Sequence, residues 1–188
     1  LTWQRYDFYD WTLFIHNENP KGDPIASHSH SDFCSFVAFY KGKEIIIDPG
    51  RLNYNNNKDY LDASSHSTIS IDGLPASIRK SEKLYPSKYR EMEFNISVSK
   101  SEEFLEVMIN HNGFSRIKRN RIIHKRIFRI FKDQIFINDQ VKGNGNHKIE
   151  YSLNFPSPLQ NKIFKRKEMN KANVLNDLGV DLKIKINQ

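Results

Sequence analysis

A chain of 188 residues is long enough to bury one real core and short for two, and its 13 Phe and 8 Tyr offset a hydrophobic share of only 38%, which argues against disorder. The formal charge of +7 suits an anionic partner, whether nucleic acid, acidic glycan or anionic membrane, but no apolar run approaches the length of a membrane-spanning helix and no signal peptide is visible in this stretch. The single cysteine, Cys34, cannot form an internal disulfide and sits in an apolar strand pattern, so it reads as a small core residue and leaves the compartment open.

In chain order, LTWQRYDFYDWTLFIHN contains a strand at about Trp11-Asn17. Trp3, Tyr6, Phe8, Tyr9 and Trp11 are too dense for a linker and either cap the domain or face a neighbouring one. His16, at the end of that strand, is expected at the surface. A turn-rich loop from Asn17 to Pro24 leads to His28-Ser29-His30; if this is extended, both imidazoles face one side, because strand side chains repeat every second residue. Phe33-Tyr40 and Lys43-Asp48 are expected as a hairpin around Lys41-Gly42, with Asp48 delivered at a strand end by the turn that Pro49-Gly50 forces. RLNYNNNKDYLDASS then reads as a long polar loop, functional or mobile, with Tyr54 and Tyr60 as candidate sugar-facing rings. His66 opens the alternating segment SHSTISIDG.

After an irregular connection over residues 74–90, alternation resumes in Glu91-Lys100, Glu103-Asn110, Arg121-Phe131, Gln134-Val141, His147-Phe155 and Leu182-Asn187. Strands at this spacing, with no sustained helical period, predict an all-β fold, an antiparallel β-sandwich whose long polar loop carries the site. A short helix is expected around Lys167-Leu175. Lys118, Arg119, Arg121, Lys125, Arg126 and Arg129 crowd one segment, read as the solvated face of a strand. No nucleic-acid-binding motif accompanies them, so no nucleic-acid partner is expected. His111 reads as a turn residue, and His124 and His147 as structural.

Two imidazoles and a carboxylate, His30, His66 and Asp48, match the ligand set of an open zinc site, whereas calcium or magnesium would require more oxygens. The plainer alternative is that the histidines lie at the surface and Asp48 is a turn residue. Asp32 either orients His30 or only starts the following strand.

The segment HSHSDFCSFVAFYKGKEIIIDPG, followed by Tyr54 and SHSTISIDG and, more loosely, by IIHKRIFRIFKDQIFINDQVKGNGNHKIEYSLNFP, resembles the C-terminal domain of the heparinase II/III-like family of polysaccharide lyases. The resemblance implies a β-sandwich (supersandwich-like) domain over residues 1–188 that supplies one wall of a cleft. It also implies a partner domain, an N-terminal helical toroid carrying the main catalytic tyrosine, outside this chain. His28 would face substrate, with Tyr54 beside it, and His30, Asp48 and His66 would hold a structural zinc ion. The implied reaction is β-elimination on an acidic polysaccharide: a base takes the proton at carbon 5 of a uronic acid, the oxygen on carbon 4 leaves, and charge gathers on the carboxylate. The isolated chain is expected to be inactive, and its setting periplasmic, secreted or cell-envelope. Ser67 departs from the family's usual Asn, and Asp62 lies near a usual Arg. A non-catalytic carbohydrate-binding or assembly module is the alternative, and a basic nucleic-acid binder a distant third.

Overall fold

The computed structural model describes residues 3–17, 30–50, 61–77, 92–115, 117 and 121–157, together with the backbone of strands within 163–187. It is nearly all strand. Strands β1 (Trp3–Phe8), β2 (Trp11–His16), β3 (Phe36–Tyr40) and β4 (Lys43–Ile46) form an antiparallel sheet in sequence order. A short ribbon pairs β5 (Ile69–Ile71) with β10 (Ile149–Tyr151). The large sheet runs β11-β12-β13-β9-β8-β7-β6, built from β6 (Phe94–Lys100), β7 (Leu105–His111), β8 (Ile123–Ile130), β9 (Gln134–Lys142), β11 (Ile163–Lys165), β12 (Lys171–Leu175) and β13 (Asp181–Asn187). Every pairing in it is antiparallel except β13 with β9, which is parallel.

Alternation makes these strands two-faced. In β2, Trp11, Leu13 and Ile15 point inward, and in β3 Phe36, Ala38 and Tyr40 do. They meet the inward row of the large sheet, which includes Val107, Ile109, Phe128, Ile130, Ile135 and Ile137, in one core; Phe36 and Phe128 pack edge to face across it at 5.1 Å. Each wholly buried aliphatic or aromatic side chain stabilises by about 1.5–3 kcal/mol, so this interleaving is what holds the sheets together. The hairpin expected at Lys41-Gly42 is present, with consecutive positive φ values of 50° and 74°, the type I′ geometry that matches strand twist. Asp72 and Gly73 (φ 51° and 73°) make a second such turn, closed by reciprocal Ile71 and Leu74 backbone bonds of 3.0 and 2.9 Å.

Four expectations change. Of the dense N-terminal aromatics, Trp3, Tyr6 and Phe8 lie on a further strand, β1, which pairs with β2 through Trp3↔His16 to Phe8↔Trp11. The described part of the expected 167–175 helix is strand β12, held on both sides by β11 and β13. His16 is buried, not at the surface, because the chain folds over it between Trp3 and Asp32. His111 is the last residue of β7 and is buried.

Candidate functional site

The site forms where the ends of β2, β3, β4 and β5 converge. The β2–β3 pairing continues past the strands through His16 N to Ser35 O and Cys34 N to His16 O, both 2.9 Å. Cys34 takes a left-handed φ of 61°, which turns the preceding segment, 30–33, across the sheet edge. There Ser31 N donates to Leu61 O at 2.8 Å, and the Thr68 hydroxyl donates to Phe33 O at 2.9 Å, so the His30 segment is stitched to both flanks of the His66 turn. His66 itself ends a 3-10 turn, Ala63–Ser65. Asn154 fastens the same turn from the other side: its side chain donates to Ser65 O at 2.6 Å and its backbone N–H to the Ser67 hydroxyl at 3.2 Å. Ser67 thus supplies an acceptor to the frame of the site.

Among the described residues, one group of potential metal ligands converges: donor atoms of His30, Asp32 and His66 all lie within 4.8 Å of one another. A tetrahedral zinc ion with bonds of 2.0–2.2 Å separates its ligand atoms by about 3.5 Å, so small side-chain movements would close the group. The His30 and His66 rings are 5.2 Å apart. Asp48 stands on the other edge of His66: its Oδ2 lies 2.7 Å from His66 Nδ1, and its Oδ1 accepts the Gly50 N–H at 2.9 Å. His66 is completely buried, and its Nε2 has no hydrogen-bond partner. An imidazole with one nitrogen held by a carboxylate and the other buried and unmatched has the arrangement of a metal-binding histidine, since the carboxylate fixes the tautomer and the orientation of the ring. The residues therefore fit a small divalent cation.

Asp32 is nearly enclosed. Its Oδ1 is 3.1 Å from His16 Nδ1. Burial pushes its carboxyl up, but the hydrogen bond and charge of His16, with His66 and His30 nearby, outweigh that and hold it below the ordinary carboxylate range. Of the sequence-derived set, His30, Asp48 and His66 come together around one imidazole, and Asp32, read in the sequence as orienting His30 or only starting the strand, joins them as a second carboxylate. His28, Tyr54 and Tyr60 lie outside the described residues.

Beneath the site runs a buried polar chain that alternation alone does not reveal. Gly113 N–H donates to His111 Nδ1 (3.2 Å), His111 Nε2 is 2.8 Å from His124 Nδ1, and His124 Nε2 is 2.7 Å from Asp139 Oδ1. Read in one direction, this is a run of neutral imidazoles, each donating to the next. Burial lowers the His124 pKa against the pull of Asp139. Arg126, also completely buried, donates from Nε and Nη2 to the two Asp139 oxygens at 2.7 and 3.0 Å, and from Nη1 to Cys34 O at 2.7 Å and Ser67 O at 3.0 Å. Phe36, Phe128 and Tyr151 surround its guanidinium, their ring centres 5.2–6.0 Å away. Burial opposes the charge on Arg126, but Asp139 outweighs it and raises the pKa; burial likewise opposes the charge on Asp139, and Arg126 and His124 keep its carboxyl well below the usual range. The Cys34 thiol, enclosed and pushed up by burial, is not a nucleophile.

A family profile described as Heparinase II/III-like, C-terminal matches residues 2–181. No curated protein sequence matches. Among solved structures, the chain is similar to a heparan sulfate lyase from Pedobacter heparinus (15% identity, TM-score 0.63, covering 95% of this chain and 26% of that one). It is also similar to a heparinase III (13% identity, TM-score 0.59, covering 93% and 26%). At these identities the likeness is one of fold, and the chain spans about a quarter of the length of those proteins.

Proposed function

The chain belongs to the heparinase II/III-like family as its C-terminal β-sandwich domain, and on that premise we propose that it is one half of a polysaccharide lyase acting on uronic-acid-containing glycans. The other half in this reading is a helical toroid carrying the main catalytic tyrosine, in a periplasmic, secreted or cell-envelope setting. The observation that carries the proposal is the buried, unmatched Nε2 of His66 within a group of two imidazoles and two carboxylates. His30 and His66 are the imidazole ligands of a zinc ion with Asp32 as the carboxylate in reach, and Asp48, on the far edge of His66, holds that ring by its Nδ1. When bound, the ion supplies a cross-link between the segment that leads into β3 and the His66 turn. His28, two residues before His30, then handles a proton or binds the substrate carboxylate at the cleft wall, with Tyr54 as a sugar-facing partner. The positive charge of the chain favours an anionic polymer.

Two measurements on the full-length protein test this. Elemental analysis is expected to find about one zinc per chain, the stoichiometry of a single open site. His28→Ala is expected to keep that metal while losing elimination activity on uronate polymers, read as absorbance of the unsaturated product. A metal-free native protein, or unchanged turnover in the variant, refutes the corresponding half of the proposal.

A further inference from the structure

We infer that Arg126 is a positioning residue whose one guanidinium, bonded at once to the Cys34 and Ser67 carbonyls, sets the spacing between the two segments that carry the cation ligands. The inference rests on the cation reading above. Cys34 lies two residues after Asp32, and Ser67 follows His66 directly, so these carbonyls are the nearest firm points on each segment. Arg126 is immobile in turn: Asp139 grips its other edge from β9, three aromatic rings surround it, and its own strand lies inside the large sheet. The rigid sheet thereby dictates where two non-adjacent segments stand. Filling the core would not require this. Buried ion pairs are commonly matched or exceeded in stability by apolar side chains of the same volume, whereas a planar fork with donors on three sides has no apolar or lysine equivalent.

The test separates position from stability. Zinc affinity of the full-length protein is measured by competition with a chromogenic chelator, and site geometry by the visible spectrum of the cobalt(II)-substituted protein. Three variants are compared with native: Arg126→Lys, the apolar pair Arg126→Met with Asp139→Leu, and Ile137→Ala as a core variant that lowers stability without removing a hydrogen bond to either segment. Both Arg126 variants are expected to lose about 10- to 100-fold in zinc affinity, as for other supports of metal ligands, and to shift the cobalt bands. Ile137→Ala is expected to do neither. Native-like zinc binding in a folded Arg126 variant overturns the inference, as does an equal loss in Ile137→Ala at matched stability. Should Arg126→Lys fail to fold, the apolar pair alone decides. A native protein that binds no zinc overturns the cation reading instead, and is recognised before any variant is made.

Discussion

Replacing Asp139 by Asn keeps the side chain's shape and removes only its charge, so it isolates the worth of the buried ion pair. In the native chain the carboxylate receives two bonds from Arg126 (2.7 and 3.0 Å) and one from His124 (2.7 Å), with both Asp139 and Arg126 at 0% exposure. In the variant an amide N–H₂ must face a donor, and the guanidinium is left as an uncompensated buried charge. Breaking one partner of such a pair costs about 3–5 kcal/mol, a large part of the roughly 5–15 kcal/mol that holds a typical domain. With a urea slope of about 2 kcal/mol/M, the midpoint should fall by ~2 M. Fluorescence of the buried Trp11 reports the transition. Because the folded pKa of Asp139 is depressed, its stabilisation is complete above the ordinary carboxyl value near 4 and is lost as pH falls through the folded one, so native and variant should converge only in strong acid. A loss under about 1 kcal/mol at neutral pH, the size of an exposed pair, would refute the reasoning.

Three further outcomes are expected. Asp32→Asn, at the ligating carboxylate, should abolish zinc uptake in elemental analysis, Asp48→Asn, at the one that orients His66, should weaken it about 10- to 100-fold, and native uptake in both would remove the carboxylates from the site. His124, whose folded pKa is lowered by burial, contributes stability that is complete above its ordinary value near 6.5 and declines as pH falls below it. The stability difference between native and His124→Gln should therefore shrink from pH 7.5 to pH 5 (roughly one unit above and one and a half below that value), and a constant difference would show that His124 titrates normally. Gly113→Ala would place a methyl carbon 2.6 Å from Ala76 O and 2.7 Å from Met92 Sδ, so thermal unfolding should show a loss of about 1–3 kcal/mol, and an unchanged midpoint would mean the backbone there yields freely.

Most of the sandwich is legible because apolar alternation is what a half-buried strand needs, and the Lys41-Gly42 turn announces itself through Gly42, which takes positive φ without strain. The segment IHKRIFRI of β8 shows where this stops. Isoleucines and basic residues occur on both of its faces, and the face that turns inward is the one with His124, Arg126, Phe128 and Ile130, leaving Ile123 and Ile127 outside. Arg126 reads as solvated because its compensation comes from Asp139 on the next strand and from carbonyls far along the chain. No local pattern carries that. The same holds for His16 and Asp32, which cover one another from separate segments, with the Trp3 ring against His16. His30, Asp48 and His66, by contrast, are polar residues at the ends of apolar runs and stand out in the sequence for that reason.

The parallel seating of β13 beside β9 also bears on how the chain is made. During synthesis β9 is complete some forty residues before Asp181 leaves the ribosome. For that interval one flank of the strand bearing Asp139 offers unpaired amides and carbonyls, a template for wrongly joined strands. Truncations that remove residues 181–187 should accordingly appear as aggregates rather than as slightly weakened monomers.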